Sequence, residues 1–298
     1  MADALTAVAP EGSAPRRAIP AAAAPQRAPV ALPALRGAPR ALGLAGAMLA
    51  LSALTDSSVE HYRGSFHNKF MYLPLAVAAL TLAACARDAG RAGARPLSGP
   101  AIDRLAIATG VLGTGFHLYN VGKRPGGFCW LNLFYAAPLG APGALLLAGL
   151  LRRIGGKLQN GRDKIAGMQA GPALAGLVSA SLIATSAEAA LLHFRGAFQN
   201  PAMVIPVTAP PVAAALLARA ALKPQPHHPA TRWSLRLLAA VGLIGCGFHA
   251  YGIGRSMGGW RNWSQNLLSG PPLPAPPAFT ALAIAGLAAL GLIERTQR

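Results

Sequence analysis

Charge is what this sequence has least of. Only 12% of its 298 residues are Asp, Glu, Lys or Arg, roughly half the share of about 25% usual in soluble domains. That is too few to cover the polar surface of the one or two soluble domains this length would make. Acids are the scarcest: 9 against 27 basic residues, a net charge of +18. There are three cysteines, Cys85, Cys129 and Cys246, without CxxC or CxxCH spacing. A disulfide framework, a zinc ribbon and c-type haem attachment are thereby excluded. No Gly-rich phosphate loop, GxSxG, HExxH or nucleotide-binding strand–helix unit occurs, so a free-standing soluble-type enzyme has no support.

What the chain does have is apolar length. It is 53% hydrophobic with a mean hydropathy of +0.40, which argues against a mostly disordered chain despite 34 Gly and 26 Pro. Past residue 40, apolar runs approach the ~20 residues needed to cross a hydrocarbon core. They fall near 40–58, 70–86, 104–121, 133–151, 171–191, 202–222, 236–253 and 275–293. The expected fold is an all-α polytopic membrane protein in the lipid bilayer with eight transmembrane helices. Pro74 interrupts the second run and Pro206, Pro210 and Pro211 the sixth; membrane helices tolerate proline where neighbours satisfy the freed carbonyls.

The basic residues then sort by side. One set of loops with both termini holds 20 of the 27, from Arg16 to Arg298, including Arg87, Arg104, Arg152, Arg219, Arg232 and Arg295. The opposite loops hold Arg63, Lys69, Lys123, Arg124, Arg195, Arg255 and Arg261. The positive-inside rule makes both termini cytoplasmic, and in a bacterial inner membrane the opposite face is periplasmic. Because the charge tracks topology, nucleic acid is not an expected partner. Residues 1–39, rich in Ala, Pro and Arg, read as a disordered cytoplasmic tail with no cleaved signal peptide.

Residue n matches residue n+132 over a long stretch. His61, Arg63, Gly64, Phe66, Asn68, Met71 and Pro74 reappear as His193, Arg195, Gly196, Phe198, Asn200, Met203 and Pro206. Gly110, Gly113, Phe116, His117 and Tyr119 reappear as Gly242, Gly245, Phe248, His249 and Tyr251. A two-residue insertion then shifts the register, so that Asn132 and Pro138 match Asn266 and Pro272. The organisation expected is a first four-helix repeat (40–152), a basic cytoplasmic linker (153–170) and a second repeat (171–298). Four spans per repeat make the halves parallel, 4+4, about a pseudo-twofold along the membrane normal.

Two signatures recur on the sparsely charged face. In His-aromatic-Arg-Gly-x-Phe-x-Asn, Asn68 and Asn200 precede a helix and suit an N-cap, while Gly64 and Gly196 suit a left-handed or tight turn. In the second signature, Gly110 and Gly113 lie on the face of His117, and Gly242 and Gly245 on that of His249. These stripes are either close helix packing or room for a flat group whose metal the histidine binds. Ionisable groups in membrane spans are costly and need a reason. His61 with His117, and His193 with His249, would ligate a b-type haem from two helices, with Arg63 and Arg195 at its propionates and Gly113 and Gly245 beside it.

The alternative set adds Asp56 and Glu188, repeat-equivalent and each five residues before its His, as ligands for non-haem iron or copper. Aromatics at the same face, among them Trp130 and Trp263, suit interface anchoring, with a quinone or a docking partner as the other possibility. The chain is therefore expected to be a subunit of a periplasm-facing redox complex, passing electrons from a periplasmic or membrane protein partner towards quinone, rather than an enzyme by itself. The competing expectations are a cofactor-free membrane anchor or assembly subunit, and a small-solute transporter with parallel repeats.

Overall fold

The computed structural model describes residues 37–90 and 100–297. The expected tail, apart from residues 37–39, lies outside the described residues, as do Arg91 and Arg95. Most of the chain's described residues are helical. Its long helices are α1 (Gly37–Arg63), α2 (Leu73–Gly90), α3 (Pro100–Gly122), α5 (Gly140–Gln159), α6 (Ala170–Arg195), α7 (Ile205–Leu222), α8 (Pro229–Arg255) and α10 (Pro277–Thr296). Short helices α4 (Trp130–Phe134) and α9 (Trp263–Ser269) lead towards α5 and α10. Single 3-10 turns, Lys69–Tyr72 and Pro201–Val204, run directly into α2 and α7, and a third covers Gly259–Asn262. Strands β1 (Lys164–Ile165) and β2 (Met168–Gln169) make a minimal antiparallel hairpin between α5 and α6.

Six of these stretches are long and apolar enough to cross a membrane: α1, α6, α8, α10, and α2 and α7 with their 3-10 turns. The chain is thus an all-α, multi-pass membrane protein. Helices α3 and α5 have comparable length but carry charge inside their bounds: Asp103 and Arg104 in one, Arg152, Arg153 and Lys157 in the other.

Several boundaries differ from expectation for local reasons. Helix α1 starts at Gly37, with Pro39 in its first turn, where a missing N–H costs nothing. Pro74 and Pro206 likewise fall in the first turns of α2 and α7 and interrupt neither. Pro210 and Pro211 lie within α7, which runs through them. The expected 133–151 run is broken: α4 ends at Phe134, and α5 begins only at Gly140 and continues to Gln159, into the segment read as linker. The basic residues, too, sit on helix ends more than in loops; Arg87, Arg104, Arg152, Arg219, Arg232 and Arg295 are all helical.

Helices α1, α2, α3 and α5 pack in a ring, each against the next and α5 back onto α1; α6, α7, α8 and α10 do the same. The rings meet through α1 and α10, where Ser52 Oγ on α1 donates to Pro274 O, 2.5 Å away. The core includes Leu42, Leu49 and Leu145 of the first ring and Leu174, Leu182 and Leu282 of the second, all essentially inaccessible. Large apolar side chains of α3 and α8, such as Leu112, Leu237 and Ile244, point outwards, as lipid-facing residues do. At the end where α2 and α5 finish, Arg152 is buried and paired with Asp88 (2.8 Å) and Asp103. It ties α5 to α2 and α3.

Candidate functional site

The four repeated histidines sit at the ends of α1, α3, α6 and α8 away from the Arg152 cluster, and each is held by the same kind of bond. His61 Nδ1 lies 2.7 Å from Met71 O, and His193 Nδ1 lies 2.9 Å from Met203 O. His117 Nδ1 lies 2.8 Å from Pro138 O, and His249 Nδ1 lies 2.7 Å from Pro272 O. A carbonyl oxygen only accepts, so each Nδ1 carries the proton and donates it. A neutral ring held in this way keeps its lone pair on Nε2. None of the four Nε2 atoms has a hydrogen-bond partner among the described residues.

Local chemistry explains how these carbonyls come to face the rings. After α1 the chain turns sharply through Ser65 (φ 56°) and Phe66 (φ 45°), and after α6 through Ala197 (φ 55°) and Phe198 (φ 46°). Phe66 N and Phe198 N donate to His61 O and His193 O, closing the helix ends. The turn lays Phe66 edge-on to His61 at 6.2 Å and Phe198 edge-on to His193 at 6.1 Å. Of the two roles expected for Gly64 and Gly196, the tight turn holds for both and the left-handed conformation for neither. A Cβ there would press on Met71 Cε (3.1 Å) or Met203 Cε (3.2 Å), so the glycines make room for methionine. The N-cap reading holds: Asn68 Oδ1 accepts from Phe70 N at 3.0 Å, and Asn200 Oδ1 from Ala202 N at 2.9 Å.

The carbonyls facing His117 and His249 come from the irregular stretches before α5 and α10, the first of which replaces the start of the helical run expected at 133–151. A second anchor supports each stretch. Asn132 Nδ2 donates to Pro125 O and Gly127 O, and Asn266 Nδ2 to Met257 O and Gly259 O. The Gly126–Gly127 and Gly258–Gly259 pairs all have φ between 50° and 86°, a conformation glycine enters at no steric cost.

The repeats pair His61 with His117 and His193 with His249. The second pair stands edge to face with ring centroids 6.5 Å apart. The glycine stripes are occupied. A Cβ on Gly110 would lie 2.7 Å from Leu146 N and Pro142 O, and one on Gly113 would lie 3.1 Å from Pro142 Cβ. On Gly242 it would lie 2.7 Å from Thr280 N, and on Gly245 it would lie 3.0 Å from Pro276 Cβ. Gly113 and Gly245 thus seat the first turns of α5 and α10 against α3 and α8.

The charged candidates are placed less alike. Arg63 Nη1 pairs with Glu60 Oε1 at 2.7 Å on the surface. Arg195 instead reaches into the other half, over the Phe134 ring at 5.4 Å, with Nη2 3.4 Å from Ala136 O. Glu188 lies against the N-terminus of α5, within reach of the Leu139 and Gly140 amides, where a helix favours negative charge. Asp56 lies one turn before Glu60 on α1. Among the described residues no three His, Cys, Asp or Glu side chains converge to hold a metal ion.

Exposed aromatics surround this end: Tyr62, Tyr119, Trp130, Phe194, Tyr251 and Trp263. Trp130 and Phe194 pack together at 6.2 Å, joining α4 to the end of α6. Missing from the sequence reading is the Arg152 cluster, whose members gave no local pattern. No family model, curated protein or solved structure matches this chain.

Proposed function

We propose that the chain is a membrane-embedded electron-transfer subunit in which His61 with His117, and His193 with His249, hold two like metal centres, b-type haems in the first instance. The observation that carries this reading is the shared state of the four rings. Each donates Nδ1–H to a backbone carbonyl and presents a bare Nε2, the arrangement that orients metal-ligating histidine. The ring centroids of His193 and His249, 6.5 Å apart, would bring both within reach of one shared group. With two protein ligands per centre, a metal needs its remaining ligands from the cofactor itself, which favours haem over non-haem iron or copper. A bound haem would supply one-electron transfer; the chain's part is to fix the ligating rings.

In this reading α3 and α5 complete eight crossings, in two parallel four-helix halves about a pseudo-twofold along the membrane normal. The bias of 20 basic residues against 7 puts both termini in the cytoplasm of a bacterial inner membrane and the histidines at the periplasmic face. A periplasmic or membrane-bound donor would dock on the aromatic rim, with quinone as acceptor. The test is an oxidised and reduced absorption spectrum of the purified full-length protein, with iron analysis. A Soret band with iron is expected; a sample with neither removes the proposal.

The filled glycine stripes favour a second reading, a cofactor-free anchor in which each histidine pins a connecting segment in place. It predicts that His→Ala variants lose stability without losing any bound metal.

A further inference from the structure

Helices α3 and α8 end on the same short arrangement, just past His117 and His249. Lys123 Nζ lies 5.5 Å from the centroid of the Tyr119 ring, and Arg255 Cζ lies 5.7 Å from that of Tyr251. These residues are equivalent at the repeat offset, as are Phe128 and Trp260. A Cβ on Gly122 would lie 3.0 Å from Phe128 Cε2, and one on Gly254 would lie 2.9 Å from Trp260 Nε1. Each glycine therefore lets a large ring lie against its helix end. The four rings are between 51% and 64% exposed, and both cations are exposed with them.

Charge at this end is one-sided. Its acids are Asp56, Glu60 and Glu188, and Glu60 is already paired with Arg63. Lys69, Lys123, Arg124, Arg255 and Arg261 are all exposed and make no ion pair among the described residues. We infer that the two patches, Tyr119 with Lys123 and Phe128 and Tyr251 with Arg255 and Trp260, dock the acidic face of a protein partner. On the reading proposed above, which this inference rests on for the partner's role, that protein is the electron donor. Both patches are open, so a small anion would meet exposed cations that hold it only weakly. A protein covers cation and rings together, and interfaces are rich in aromatic residues and arginine. Complementary charge speeds the encounter and sets its orientation.

The test is surface plasmon resonance on the full-length protein in phosphatidylcholine nanodiscs, with an acidic and a basic soluble cytochrome of similar size as probes. The acidic probe is expected to bind saturably, and more weakly as salt rises; the basic probe is expected not to bind. Lys123→Glu combined with Arg255→Glu should weaken the acidic probe about tenfold. Arg219→Glu, an exposed reversal at the opposite end, should leave it unchanged. The inference is overturned by failure of the acidic probe to bind, which would leave these cations to lipid headgroups. Equal binding of the two probes, unchanged binding in the double variant, or an equal loss in Arg219→Glu would each overturn it as well. Iron and Soret absorbance are read on the same samples. Haem without probe binding sinks this inference alone, whereas probe binding without haem removes the donor role and leaves the docking surface.

Discussion

The imidazoles of His193 and His249 face each other edge to plane, 6.5 Å between centroids, each tethered through Nδ1 to a carbonyl of the segment that follows its own helix. Two side chains from α6 and α8 thus share one small space with their tautomers already set. If they are ligands, the expected phenotype is local. His193→Ala or His249→Ala should remove the cofactor of the second half and leave that of the first, lowering haem per chain by about half, as each bis-histidine centre depends on its own axial pair. Glu188→Gln and Asp56→Asn should leave the stoichiometry unchanged. Pyridine haemochrome assay and iron analysis of the four variants decide it; loss with the acid variants alone would point to a different ligand set.

The glycine stripes predict a stability effect at two positions and none at a third. Ala at Gly110 would place a Cβ 2.7 Å from the backbone of Pro142 and Leu146, and overpacking of this kind costs about 1–3 kcal/mol. Gly242→Ala should behave alike. A Cβ on Gly115 meets nothing within 4 Å, so Gly115→Ala should be neutral or stabilise by up to about 1 kcal/mol. Thermal unfolding in detergent measures all three.

Arg152 predicts an asymmetry between the halves. With the register shift included, the positions equivalent to Arg152, Asp88 and Asp103 hold Gly286, Ala220 and Leu235. There a Cβ on Gly286 would touch Leu235 Cδ2 at 2.9 Å, so the same three-helix junction is apolar. Arg152→Ala leaves two carboxylates without their buried partner and should cost about 3–5 kcal/mol. Adding Asp88→Ala and Asp103→Leu should recover most of that loss. A triple variant no more stable than the single one would show that the junction needs its charges.

These comparisons explain which features could be read from the chain alone. The histidines and the capping asparagines recur at a fixed offset, so periodicity separated them from background. The Arg152 cluster does not recur, and its members lie far apart in sequence, so the same comparison hid it. The turn after α1 is legible in part, since a glycine opens it but does not take the left-handed conformation. Packing against Met71 takes the glycine instead, and Ser65 and Phe66 adopt the positive φ. The run at 133–151 is apolar enough to suggest one helix. Only the tertiary bond from His117 to Pro138 O shows why the chain stays unwound there.

The asparagine caps give a milder prediction. Asn68→Ala and Asn200→Ala should each lose about 1 kcal/mol, and Asp at either position should retain most of it. The caps hold the turns that carry Met71 O and Met203 O, so loosening them should broaden any histidine-ligand signal without removing it. Unfolding and spectroscopy on the same samples separate the two effects.

Gly37 and Arg295 come together, so the first turn of α1 and the last turn of α10 lie at the same end of the fold. The hairpin from Lys164 to Gln169 divides the two rings at a point where no long helix is cut. A circular permutant with its own chain ends joined and opened at that hairpin would present the halves in reverse order with every long helix whole. Correct assembly of such a chain would mean that the two halves recognise each other by their seam, whichever is synthesised first.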